Sequence, residues 1–139
     1  MARAHIIAGI RQLAQTAQKT LGPGGRNVAL EYDGGDPKIT KDGVTVLKSI
    51  HLPDRAQEMG SKLLKKQSGA TNIFAGDGTT SSSILTRELL QMGQQAIRFE
   101  GAHPVALKRG LDVGLGVVLQ YLREISMPIT TELEISNVC

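Results

Sequence analysis

Four stretches of this chain space their apolar residues at three- and four-residue steps, and glycine or proline breaks the chain between them. No other feature constrains the fold as much, because each such stretch reads as a helix with one stripe that must be covered by another element. From Ala4 to Lys19 the stripe is Ile6, Ile7, Ile10, Leu13, Ala14 and Ala17. A second helix is predicted from Asp54 to Ser68 with Met59, Leu63 and Leu64 inward. The third runs from Thr79 to Phe99 and presents Ile84, Leu85, Leu89, Met92, Ala96 and Ile97. A fourth starts near Pro104, a favoured first-turn residue, and carries Leu107, Leu111, Leu115, Val118, Leu119, Leu122 and Ile125 before Pro128 ends it.

The breaks are equally legible. Leu21-Gly22-Pro23-Gly24-Gly25 stops the first helix, since proline removes a donor and glycine admits positive φ. Asn27 to Tyr32 reads as a strand, Asp33 to Pro37 as a turn, and Lys38 to Thr40 as the returning strand. Such a hairpin is marginal alone and needs something to pack on. Val44 to Ile50 leaves two readings open, because its β-branched residues favour strand while the spacing of Val44 and Leu47 permits a helical turn. The tail from Ile129 to Cys139 reads as the lead into a further element. The expected fold class is mainly α, with long packed helices and a small β-hairpin.

With two Phe, two Tyr and no Trp, the core must rest on Leu, Ile, Val, Ala and Met. A formal charge of +3 comes from dispersed basic residues without an aromatic platform, so no nucleic-acid partner is expected. The single cysteine, Cys139, makes neither an internal disulfide nor a metal cluster and points to a reducing compartment. The first residues lack the apolar core of a secretion signal and no apolar run reaches membrane-spanning length, so neither secretion nor a membrane is expected.

Three segments carry residues suited to phosphate chemistry. Ala75-Gly76-Asp77-Gly78-Thr79-Thr80-Ser81-Ser82-Ser83 sets two glycines around an aspartate and then opens a long helix with hydroxyls. Free N–H groups and the positive end of the helix dipole favour a phosphate there, and an aspartate so placed suits Mg²⁺, which shares oxygen ligands with phosphates. The same residues also suit plain capping by Asp77 or Thr79, and the sequence leaves both readings open. No Lys follows the glycines in the Gly-Lys-Ser/Thr form of a Walker loop. Thr20-Leu21-Gly22-Pro23-Gly24-Gly25-Arg26-Asn27 is either a helix stop or a loop that lies against a nucleotide. Ile39-Thr40-Lys41-Asp42-Gly43-Val44 is either a surface turn or a phosphate contact beside a water-polarising carboxylate. His5, His51 and His103 are too scattered in sequence to suggest a metal site, and His103 reads as a residue leading into the fourth helix.

In this order, Thr20-Leu21-Gly22-Pro23, Thr40-Lys41-Asp42-Gly43-Val44-Thr45-Val46 and Ala75-Gly76-Asp77-Gly78-Thr79-Thr80 closely resemble the nucleotide-binding motifs of group I chaperonins. The resemblance continues through Gly25-Arg26-Asn27-Val28, Met59-Gly60 and Leu107-Lys108-Arg109-Gly110. It implies an ATP-dependent chaperone subunit, with residues 1–126 in the first part of an equatorial ATP-binding domain and 127–139 starting an intermediate domain. Asp77 would hold Mg²⁺, and Gly78, Thr79, Thr80 and Ser81 would bind phosphate oxygens. Thr20, Leu21, Gly22 and Pro23 would line the nucleotide, and Lys41 would sit near the phosphates and an accompanying K⁺. Asp42 would carry the catalytic role of arranging the attacking water. Implied partners are further subunits in seven-membered double rings, a co-chaperonin and unfolded client proteins, in a mitochondrial matrix or a bacterial-type cytoplasm.

Four residues depart from the family pattern: Gly24 stands at a usual Lys, Ser81 at a usual Thr, and Ile73-Phe74 at small or acidic residues. By the same resemblance, an intermediate-domain aspartate, a base-binding return half and an apical domain lie outside these residues. Hydrolysis by this chain alone is therefore expected to be incomplete. A non-catalytic, chaperonin-derived interaction module is the alternative reading.

Overall fold

A computed structural model describes residues 2–31 and 35–138. In chain order the elements are α1 (Ala2–Gln18), β1 (Val28–Leu30), β2 (Lys38–Thr40), α2 (Gly43–Ser49), α3 (Arg55–Ala75), α4 (Thr79–Phe99), α5 (Pro104–Ile125) and α6 (Glu132–Val138). The mainly helical reading with one small hairpin is what the structure shows. Asp33 and Gly34 of the predicted turn and Tyr32, the expected end of the first strand, lie outside the described residues, as does Cys139. The strands pair antiparallel in the register Val28↔Thr40, Ala29↔Ile39 and Leu30↔Lys38. The segment left open between strand and helix is helical, because Asp42 caps it: the carboxylate accepts from the N–H groups of Val44 and Thr45.

The chain divides into two compact units, residues 1–95 and 96–139. In the first, Ile10, Leu13, Ala14 and Ala17 of α1, Leu47 of α2 and Leu64 of α3 form the core, with Ile6 and Ile50 packed against it. The predicted stripe of α1 is therefore the buried one. Its closest approach to α3 is backbone to backbone. A Cβ added at Gly9 would fall on the Gln57 carbonyl, and one added at Gly60 would fall on the Ile6 carbonyl. Only glycine fits at such a crossing.

That approach explains where the predicted inward set of α3 fails. Leu64 is 1% exposed, but Met59 is 57% and Leu63 54% exposed. The face turned inward instead carries Gly60, Ser61, Leu64 and Ser68, small side chains that let the helices close up. α3 also runs seven residues past its expected end at Ser68, until Gly76 stops it with φ 73° and a bond from its N–H to the Asn72 carbonyl. The linker from α2 is fastened to the same helix, since Glu58 accepts from the Leu52 N–H and Lys65 donates to the Ile50 carbonyl. The tight face leaves two hydroxyls, Ser61 Oγ and Ser68 Oγ, buried without a hydrogen-bond partner. Ser68→Ala should therefore raise stability by about 1 kcal/mol, measured by urea denaturation, because it deletes an unsatisfied buried group.

The stripe predicted for α4 is only partly covered. Ile84, Ala96 and Ile97 are half-buried, Leu85, Leu89 and Met92 are exposed, and the buried positions are Thr79 and Ser83. On α5 the difference is larger: Leu107 is half-buried, while Leu111, Leu115, Val118, Leu119, Leu122 and Ile125 are all exposed. A single helix buries its stripe only against a neighbour of comparable length. Within residues 96–139 the other complete helix, α6, has seven residues against the 22 of α5. His103 caps α5 by accepting from the Val105 N–H, with Pro104 in the first turn, as expected. The tail differs from expectation in holding α6, which starts with a capping box. Thr131 Oγ1 accepts from the Glu134 N–H, and the Glu134 carboxylate accepts from the Thr130 and Thr131 N–H groups. These bonds hold the Glu134 carboxyl below the usual range.

Candidate functional site

The second and third motifs meet at one glycine. A Cβ on Gly43, the first residue of α2, would collide with Thr80 Oγ1 and lie 3.3 Å from Thr80 Cβ and 3.7 Å from Thr79 Oγ1. The missing side chain of Gly43 thus makes room for the first turn of α4. Sequence reasoning quoted Gly43 within its motif but gave it no role. Its adjacency to Asp42 in a tight Asp-Gly pair was the available signal.

Around that contact, Asp42 is exposed and both its oxygens face α2. Oδ1 accepts from the Val44 N–H at 3.3 Å and Oδ2 from the Thr45 N–H at 2.9 Å, with the Thr45 hydroxyl donating to Oδ2 as well. The hydroxyl bond from Thr45 is the largest cause holding the Asp42 carboxyl below its ordinary 3.8, and the two amide bonds and Lys48 add to it. So depressed, the group is ionised at neutral pH and suits orienting a water better than abstracting a proton, for which a value near the operating pH is preferred. The sign of its pH linkage follows. Its contribution to stability is complete above 3.8 and is lost as pH falls through the lower folded value. Asp42→Ala should cost about 1 kcal/mol at neutral pH, and the deficit should shrink toward zero in acid, read from denaturation midpoints across pH.

α4 begins without a side-chain cap from either residue proposed for that task. Its first intrahelical bond runs from Ser82 N–H to the Gly78 carbonyl at 2.9 Å, so the N–H groups of Thr79, Thr80 and Ser81 precede the hydrogen-bonded ladder. Gly78 occupies the cap position with φ 74° and no side chain to turn on those amides. Asp77, exposed, accepts from the Gly78 N–H through Oδ1 at 2.6 Å. Thr79 is buried and accepts through its carbonyl from the Ser83 hydroxyl, while Thr80 is half-buried and Ser81 exposed. This end of α4 offers three amides, hydroxyls and one carboxylate to a ligand. That donor set suits a phosphate accompanied by a hard cation.

The first motif is placed by α1, which packs on both α2 and α3. Thr20 is buried and donates to the Ala17 carbonyl at 2.8 Å. Leu21 and Pro23 are exposed, and Gly22 takes φ 73°. The loop is cinched by bonds from Gly25 N–H to the Gly22 carbonyl and from Arg26 N–H to the Lys19 carbonyl. Lys41 is exposed beside Asp42. Two hollows elsewhere on the first unit involve none of these residues. One of about 290 Å³ is lined by Leu52, Pro53, Arg55, Glu58, Met59 and Lys62, and a small one lies between α1 and α4 beside Arg11 and Arg87. Among the described residues no group of three or more His, Cys, Asp or Glu side chains converges on a metal position, and no helix is long and apolar enough to cross a membrane.

Comparison with known proteins gives this arrangement its context. The profile of the TCP-1/cpn60 chaperonin family matches residues 13–139. The mitochondrial chaperonin CPN60 of Euglena gracilis is 44% identical over 137 residues, covering 99% of this chain and 24% of that protein, so the chain spans about a quarter of its relative's length. With the three motif segments, the helical fold and nearly every residue inside these matches, the chain belongs to the TCP-1/cpn60 chaperonin family.

Proposed function

We propose that this chain supplies the phosphate- and Mg²⁺-binding part of the ATP site of an ATP-dependent chaperonin that assists protein folding. The observation that carries the reading is the contact between Gly43 and Thr80, which sets Asp42 next to the uncapped first turn of α4. Thr79, Thr80 and Ser81 donate to phosphate oxygens through backbone and hydroxyl groups, and Gly78 lets the ligand come close. Asp77 uses one oxygen on the Gly78 N–H, and its other oxygen would hold Mg²⁺, which would neutralise charge on the phosphates. Thr20, Leu21, Gly22 and Pro23 line the nucleotide, and Lys41 sits near the phosphates and an accompanying K⁺. Asp42, ionised and held by α2, orients the attacking water. The bound Mg·ATP supplies the phosphoryl group, and these residues contribute positioning and charge neutralisation.

The larger reading rests on kinship. Residues 1–126 belong to the equatorial ATP-binding domain and 127–139 begin the intermediate domain. The subunit works in seven-membered double rings with a co-chaperonin and unfolded clients. The mitochondrial relative favours a mitochondrial matrix over a bacterial-type cytoplasm. One observation favours a second reading, a non-catalytic interaction module: α5 exposes apolar residues along most of its length.

Calorimetric titration of the chain with Mg·ATP, alongside Asp77→Ala, separates the two. Binding that weakens at least about tenfold in Asp77→Ala supports the nucleotide reading, since the variant removes a charge-assisted metal ligand. A folded chain that takes up no Mg·ATP, or binds it equally well without Asp77, overturns that reading in favour of the module.

A further inference from the structure

The sequence holds three Asp-Gly pairs, at 33–34, 42–43 and 77–78, and the first lies outside the described residues. Among aspartyl pairs, Asp-Gly is the one at which the following backbone amide most readily attacks the side chain, because glycine puts no Cβ in the way. The two described pairs have opposite environments. At Asp77-Gly78 the aspartate is exposed, and its Oδ1 lies 2.6 Å from the Gly78 nitrogen, so the carboxyl carbon is within one further bond length of that nucleophile. Gly78 sits at φ 74°, and nothing lies within 4 Å of where its Cβ would be, which leaves room for a ring to close. At Asp42-Gly43 the glycine is buried, and Thr80 occupies the space beside it. The Asp42 carboxylate is drawn forward to the amides of Val44 and Thr45, past the Gly43 nitrogen. The bonds that hold Asp42 ionised also oppose cyclisation, which proceeds from the neutral acid.

We propose that Asp77-Gly78 is a site of spontaneous isoaspartate formation in this protein, and that the fold shields Asp42-Gly43 from the same reaction. The Gly78 nitrogen attacks the protonated Asp77 carboxyl carbon. A C–N bond forms, the amide proton and the carboxyl hydroxyl leave together as water, and a five-membered cyclic imide results. Water then opens the imide at either carbonyl. One product is the original aspartate. The other is isoaspartate, in which the chain runs through the former side chain and the carboxylate sits on a shorter arm. No oxidant, reductant or co-reactant other than water is needed. The product inserts an extra methylene into the backbone of the three-residue link between α3 and α4. The proposal is independent of whether Asp77 holds a cation. If it does, the modification removes that ligand with age.

Trypsin places the two sites on separate peptides, residues 42–48 and 67–87, by cleavage after Lys41, Lys48, Lys66 and Arg87. The chain is aged at mildly acidic pH, below its unfolding temperature and in parallel in concentrated urea, and then digested. Isoaspartate is read from fragmentation spectra and from methyl transfer by an isoaspartyl methyltransferase supplied with S-adenosylmethionine. Deamidation of Asn72 in the same peptide is told apart by its mass gain. In native buffer the 67–87 peptide should accumulate isoaspartate faster than 42–48 by about tenfold or more, the ratio expected when one site reacts only after local opening. In urea the ratio should collapse toward one. Asp77→Glu should abolish the signal in 67–87. A native ratio near one or below, no isoaspartate in 67–87, or a signal that survives Asp77→Glu would each overturn the proposal.

Discussion

Gly60→Ala should destabilise the 1–95 unit by about 3 kcal/mol, while Gly69→Ala, on the same helix, should stabilise it by about 1 kcal/mol. Both substitutions make the same chemical change and the same gain in helix propensity. They differ in what the new methyl meets. At Gly60 it falls on the Ile6 carbonyl and crowds the Ile10 nitrogen, all of it backbone, so no side chain can rotate away. Relief requires α1 and α3 to separate, and that opens the contacts around Leu13, Ala14 and Leu64. At Gly69 nothing lies within 4 Å of the added carbon. Urea denaturation followed by helical circular dichroism measures both. Equal effects of the two substitutions would show that the close crossing does not exist.

Leu13→Ala should cost about 3 kcal/mol, the usual range for a leucine that leaves a cavity behind, whereas Leu119→Ala should change stability by less than about 0.5 kcal/mol. Leu13 is 0% exposed at the centre of the core, and Leu119 is 44% exposed on a helix that has no buried residue. Periodicity alone ranks these leucines as equals, since each sits in the apolar register of its helix. A large loss from Leu119→Ala in the same denaturation experiment would mean that the α5 face is covered in solution.

That equality marks the limit of what could be read beforehand. Spacing and breaks located α1, α4, α5 and the hairpin, because each rests on local chemistry: proline, glycine and a repeating stripe. They misjudged α3, because its inward face is written in Gly60, Ser61 and Ser68, which a hydrophobic count does not register. Coverage of α4 and α5 was overestimated for a different reason: an apolar stripe says a face wants covering, and burial depends on what lies opposite. The capping box of Thr131 and Glu134 stood in the letters, but the tail was read only as the lead into a further element, and Val44 to Ile50 stayed ambiguous until Asp42 was seen capping it. For the site, the sequence supplied the residue types and the structure supplied one adjacency, Gly43 against Thr80. Asp77 and Thr79, read as caps or ligands, turned out not to cap α4, because Gly78 holds that position.

The contact of α1 with α3 through bare backbone has a mechanical consequence. Side chains between helices act as springs, since they change rotamer and absorb displacement. Where carbonyl meets α-carbon there is little to yield, and the two helices behave as a welded strut. The loop at Leu21–Gly25 continues from one member of that strut, and the loop at Gly76–Gly78 continues from the other. A push on either loop is therefore passed on as motion of the whole pair, with little lost as local deformation.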